Sequence, residues 1–159
     1  MNTNKTIFTS LADMRQLIIA RKDLQMSPGK LAAQCCHAAM AFLTRDIAKG
    51  IGVMPTESGY QISLSFDTDT YEQWICGIFT KTICEAKNKN QLLKAVKLAE
   101  ELGLKENQDF FLIKDACLTE LEPEEVDENG VGRVLTCIGF RPLPSEVIQK
   151  VSKKFQLYK

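Results

Sequence analysis

Residues 17–39, LIIARKDLQMSPGKLAAQCCHAA, place a short apolar run, a polar turn and an alanine-rich segment in succession. The run QLIIAR (16–21) is rich in isoleucine and reads as a buried strand, and KDLQMS after it reads as a turn. Ser27 suits a helix cap, Pro28 the first helical position, and the alanines carry the helix to about Ile47. A strand passing directly into a long helix is the opening of an α/β domain.

The rest of the chain repeats the alternation. Glycines and a proline in KGIGVMPTESG (49–59) break the helix, YQISLSF (60–66) alternates as a half-exposed strand does, and DTDTYEQWI suits short helical turns capped by an aspartate or threonine. FTKTICEA (79–86) is a strand. Asn88 with Gln91 has the spacing of a capping box, and Leu92, Ala95, Val96, Ala99 and Leu102 then line one helical face up to Gly103. DFFLIKDA (109–116) and GRVLTCIGF (132–140) are further strands, joined by the acidic ELEPEEVDENG (120–130), which reads as a solvated loop or hairpin end. PLPSEVIQKVSKKF closes the chain as a helix begun by Pro144 and ended by basic residues. Together these elements imply a single three-layer α/β domain over 1–159, its mixed sheet flanked by helices on both faces, with 1–14 as a loosely ordered extension.

Composition narrows the partners. Apolar residues are 45% and charged residues 25%, near globular averages. Twenty basic residues balance twenty acidic ones, so no global field draws in nucleic acid or lipid and any polyanion site is local. No apolar run approaches the roughly 18 residues of a membrane span, and MNTNKTIFTSLADMRQ lacks the apolar middle of a secretory signal. A cytoplasmic address without a membrane partner is expected. The six cysteines show no C-x-x-C pair and only one histidine accompanies them, which points to reduced thiols acting as small hydrophobes rather than a metal site.

Two stretches carry chemistry. Lys30, Gln34 and His37 stand at i, i+4 and i+7 and share one helical face, beside an apolar face of Leu31, Cys35, Ala38 and Phe42. Lys30 in the first turn meets the positive end of the helix dipole, an arrangement that suits an anion or an oxygen gaining negative charge there. A solvated lysine with a half-buried histidine is the plainer reading of the same spacing. Cys36 and His37 point about 100° apart and cannot form a dyad. In IKDACLTE (113–120), Asp115 and Thr119 leave the end of a strand, where α/β sheets present functional groups; there Asp115 is either a turn former or an acid-base group.

These residues resemble the signature of the type 2 peptidyl-tRNA hydrolases, the archaeal and eukaryotic class. That pattern is a strand ending near Arg-x-Asp-Leu, then a Met-x-x-Gly-Lys-x-Ala-Ala-Gln-x-x-His-Ala helix. IKDACLTEL is similar to the family's Asp-Ala-Gly-x-Thr segment, TCIGF to its glycine-bearing last strand, and VSKKFQLYK to its terminal helix and Leu-Tyr tail. The resemblance implies a mixed sheet of about four strands between helices, a homodimer, no metal and no organic cofactor. It implies hydrolysis of the ester joining a peptide to the 3′-terminal ribose of tRNA, with Lys30, Asp115 and Thr119 catalytic and Gln34 and His37 lining the cleft. Arg21, Lys22, Lys49, Lys81 and Arg141 are candidates for tRNA phosphates.

The chain departs from the pattern at three places: the connections 49–75 and 120–130 look enlarged, GFRPLPSE looks divergent, and Cys117 replaces a glycine. If that glycine served a positive φ angle, Cys117 displaces Thr119. A catalytically silent tRNA- or protein-binding homologue is therefore the alternative expectation.

Overall fold

In the computed structural model, which describes residues 13–159, the opening stretch forms strand β1 (Met14–Arg21) and helix α1 (Pro28–Ala48). The expected extension lies mostly outside the described residues, and β1 begins inside its last positions. The Ser27 hydroxyl accepts from the Lys30 backbone N–H at 3.3 Å, so the cap and the proline start the helix as the sequence indicates.

A hairpin follows, β2 (Val53–Thr56) and β3 (Gly59–Ile62). Here the structure corrects the expected strand at 60–66: it ends at Ile62, pairs only with β2, and exposes both faces. Its period-two pattern marks no buried side. A wide helical segment over Asp69–Ile78, broken by a kink at Gly77, comes next, with the Asp67 carboxylate accepting from the Thr70 N–H and hydroxyl, both at 2.8 Å. Trp74 is buried, donates its indole N–H to the Thr80 carbonyl at 3.0 Å, and meets the Phe42 ring of α1 edge-on, fastening this connection to the domain.

The remaining elements are β4 (Lys81–Ala86), helix α2 (Lys89–Glu101), β5 (Phe110–Asp115), the short β6 (Glu125–Val126), β7 (Gly132–Phe140), the short β8 (Leu143–Pro144), helix α3 (Ser145–Ser152) and β9 (Gln156–Leu157). The order across the sheet is β5-β7-β1-β4-β9. β1 and β4 run parallel, whereas β7 lies antiparallel between β1 and β5, so the sheet is mixed and β5 forms one edge. Four long strands carry it, and the two-residue strands extend its margins.

Alternate residues of β1 separate the layers. Leu17 and Ile19 join Leu92, Ala95, Ala99, Ile148 and Val151 of α2 and α3, while Ile18 and Ala20 join Cys35 and Ala38 of α1 with Cys137 of β7. Cys35, Cys84 and Cys137 are reduced and buried, small hydrophobes in the core. Gly139 fixes how closely α1 approaches, since a Cβ there would lie 2.3 Å from the Ala38 carbonyl oxygen. The buried Gln16 amide donates to the carbonyls of Ala39 and Phe140 and ties α1 to the sheet, leaving its Oε1 without a partner among the described residues.

Candidate active site

The N-terminus of α1 and the carboxyl end of β5 meet at one edge of the domain. Lys30 reaches across with its Nζ 2.7 Å from Asp115 Oδ2 and 3.2 Å from Thr119 Oγ1. Gln34, one turn further and buried, donates its amide to the same carboxylate oxygen at 2.8 Å and accepts from the Thr136 hydroxyl at 2.6 Å. The helical spacing of Lys30 and Gln34 thus aims two donors at one anion.

Asp115 ends β5, where the strand register shifts just before Lys114. Its other oxygen, Oδ1, accepts the Cys117 backbone N–H at 2.9 Å. Cys117 adopts φ +55°, the conformation for which a glycine is suited. The cysteine thus sits in a conformation that favours glycine, and Thr119 stands within 3.2 Å of Lys30 Nζ. Glu120 completes the junction: its carboxylate accepts from the Ser27 hydroxyl at 2.7 Å and the Ser27 N–H at 3.2 Å. A carboxylate at a helix N-terminus is electrostatically favourable and docks the 115–120 loop against α1.

Electrostatics define what this cluster can do. Burial alone would push the Asp115 carboxyl up, but the Lys30 ammonium, the Cys117 N–H and the Gln34 amide together hold it below the ordinary value of 3.8. Asp115 is thus an anion and a weak base, and Lys30 Nζ, which donates to Asp115 and Thr119, keeps a third N–H to donate. Asp115 is better suited to orienting Lys30 or a water than to removing a proton.

Other expected residues lie elsewhere. His37 is exposed and takes no part in holding Gln34, which Thr136 and Asp115 fix instead. Arg21 is a buried anchor rather than a surface cation. Its guanidinium bonds Asp23, Glu124 and the Leu135 carbonyl, and although burial opposes the charge, the two carboxylates outweigh it and raise its pKa. Lys22 pairs with Glu85, and Arg141 bonds Asp109. Lys49, Lys81 and Arg141 belong to the end of the sheet opposite Lys30, since Lys49 caps the far end of α1, Lys81 opens β4 and Arg141 follows β7. The five basic residues do not converge on the cluster.

Sequence reasoning missed Thr136, Glu120 and Glu124. A hydroxyl inside the apolar run VLTCIGF demanded a partner, which was the available signal for Thr136. The acidic connection is also not merely solvated: besides Glu120, Glu124 pairs with Arg21 and Lys89, and Glu125 with Lys114.

The sequence matches the family Peptidyl-tRNA hydrolase PTH2 over residues 14–158. The chain belongs to this family. It is 36% identical over 138 residues to a protein of Methanopyrus kandleri named peptidyl-tRNA hydrolase, covering 87% of this chain and 92% of that one. It is 27% identical over 157 residues to the mouse protein named peptidyl-tRNA hydrolase 2, mitochondrial, covering 98% and 70% respectively. It is 24% identical over 143 residues to the peptidyl-tRNA hydrolase of Thermoplasma acidophilum, covering 90% and 97%. Among the described residues no three metal-ligating side chains gather, and no helix is long and apolar enough to cross a membrane.

Proposed function

We propose that the protein hydrolyses the ester between a peptide, or an N-blocked amino acid, and the 3′-terminal ribose of tRNA, with Lys30, Asp115 and Thr119 as the reacting centre. The contact of Lys30 Nζ with both Asp115 and Thr119 carries this reading, because it sets a cation, an anion and a hydroxyl around one small volume. Family membership supports the reaction itself.

An ester carbonyl needs an oriented water and a group to bear the developing negative charge. The Lys30 ammonium, at the positive end of α1, supplies the second. Asp115 keeps that ammonium in place and offers the remaining lone pair of Oδ1 to the water, while Thr119 orients the water or the ribose 2′-hydroxyl. Gln34, locked by Thr136, positions Asp115. The intact cluster favours an enzyme over a silent homologue.

The reading extends to a tRNA held through phosphates. At the catalytic end Lys22 is the candidate of the original five with an exposed ammonium, whereas Lys49, Lys81 and Arg141 serve only a tRNA body that reaches the far end. A homodimer, on the strength of the family resemblance, and a cytoplasmic address belong to the same reading. The test is release of tRNA from N-acetylaminoacyl-tRNA by the purified protein at a series of salt concentrations. Turnover that weakens steeply with salt is expected; tRNA binding without turnover would overturn the assignment.

A further inference from the structure

Beside the reacting centre, the open flank of α1 and the edge strand β5 enclose a groove of about 550 Å³, lined by His37, Met40 and Arg45 on the helix and by Phe111, Leu112 and Ile113 on the strand. It begins where the centre ends. Gln34 and His37 are one turn apart, and Ile113 precedes Asp115 by two residues. Helix and strand run in opposite directions here, so the groove leads from Asp115 toward Arg45, whose guanidinium lies 5.9 Å from the Phe111 ring centroid.

The wall formed by Leu112 is backbone. Its side chain packs into the core on the α2 and α3 side of the sheet, away from α1. The strand's hydrogen bonding gives the same picture: the carbonyl of Asp109 accepts from Arg141 N–H on the β7 side, whereas the carbonyl of Phe110 accepts from Asn107 N–H on the outer side. Alternation then turns the N–H and C=O of Leu112 outward, and β5 pairs with no strand there. No described residue bonds them.

We propose that this groove binds the peptide moiety of the substrate as an added strand on β5, a deepening that rests on the ester hydrolysis proposed above. The ester marks the peptide's carboxyl end, so the peptide runs from Arg45 to Asp115, parallel to β5. Its main chain bonds Leu112, and alternate side chains lie on the apolar wall of Met40, Phe111 and Ile113. From Gln34 to Arg45 the helix rises about 16 Å, which accommodates about five residues of extended chain. Main-chain pairing suits a substrate whose peptide has no fixed sequence.

The test uses the full-length protein and a series of tRNAs carrying N-acetylated peptides of one to about five residues. kcat/KM is expected to climb at least roughly tenfold along the series and then level off, as two added main-chain hydrogen bonds provide. N-methylation of a single peptide amide about three residues before the ester, the position facing Leu112 at about 3.3 Å per residue, should remove most of that gain. Met40→Glu should flatten the length dependence. Turnover that ignores peptide length, or an N-methyl scan without effect, would overturn the groove while leaving ester hydrolysis standing. No turnover on any member, including the single N-acetylated residue, would overturn both.

Discussion

Two lysines, Lys30 half-buried and Lys81 exposed, occupy opposite ends of the sheet and are treated differently. Lys30 is held by the Asp115 carboxylate at 2.7 Å and by a hydroxyl. Lys81 has no carboxylate partner among the described residues; its ammonium lies over the rings of Phe79 and Trp74, 3.2 and 4.7 Å from their centroids. Burial lowers the pKa of Lys81 from the ordinary 10.5. Ring faces attract a cation but do not neutralise it. A lysine on aromatic faces is a fastening for the Trp74 connection, and a lysine on a carboxylate, with one proton to spare, is a tool for charge that develops elsewhere.

The comparison breaks most easily by removing each amine. Lys30→Ala should lower kcat/KM on N-acetylaminoacyl-tRNA by about 10² to 10³, with the circular dichroism spectrum unchanged, while Lys81→Ala should leave it within roughly threefold. Equal losses in single-turnover assays would erase the distinction.

Asp115→Asn sharpens it next, with an expected loss of about a hundredfold. The same variant tests the electrostatics. Because the Asp115 carboxyl titrates below its ordinary 3.8 in the folded protein, the stability it contributes is complete above that value and is lost as the pH falls through the lower folded one. The stability difference between wild type and Asp115→Asn should therefore be flat from neutral pH to about 5 and shrink only in stronger acid, as read from denaturant midpoints. A difference that already fades near pH 6 would mean that Lys30 does not hold the carboxylate.

The smallest effect concerns the loop that joins the two partners. Cys117→Gly should stabilise the protein by up to about 1 kcal/mol, since it relieves φ +55° at a residue with a Cβ, less the entropy a glycine adds to the unfolded chain. Urea unfolding measures it, and a destabilised variant would assign the Cys117 side chain a packing role.

Much of this was legible in local sequence. Ser27 and Asn88 cap their helices as read, with Asn88 Oδ1 accepting from the Gln91 N–H at 2.9 Å, because capping is decided within four residues. Lys30 and Gln34 could be placed on one face by helical spacing alone. The partners that lock them could not: Thr136 lies 102 residues from Gln34, and Glu120 lies 93 from Ser27. Arg21 was misread for the same reason, since a basic residue ending a strand reads as exposed until Glu124 arrives from the acidic connection to neutralise it. The hairpin of β2 and β3 failed differently. Tyr60 and Ile62 alternate as on an amphipathic strand, yet both are exposed, so periodicity there reported local β preference without a core behind it.

The place of β7 in the sheet has a kinetic side. β5 is joined to the sheet through β7, which comes later in the chain and inserts between β5 and β1. β1 and α1 are consecutive, and β4 pairs with β1 across 65 residues (Gln16 with Lys81), whereas β7 pairs with β1 across 121 (Ile18 with Gly139), so Asp115 joins Lys30 only once β7 fills the gap. Pairings between distant segments form slowly because a long loop must close first. Enzyme activity in refolding experiments should thus be the last signal to recover, after helix content, and any partly folded chain that lacks β7 is an inert one.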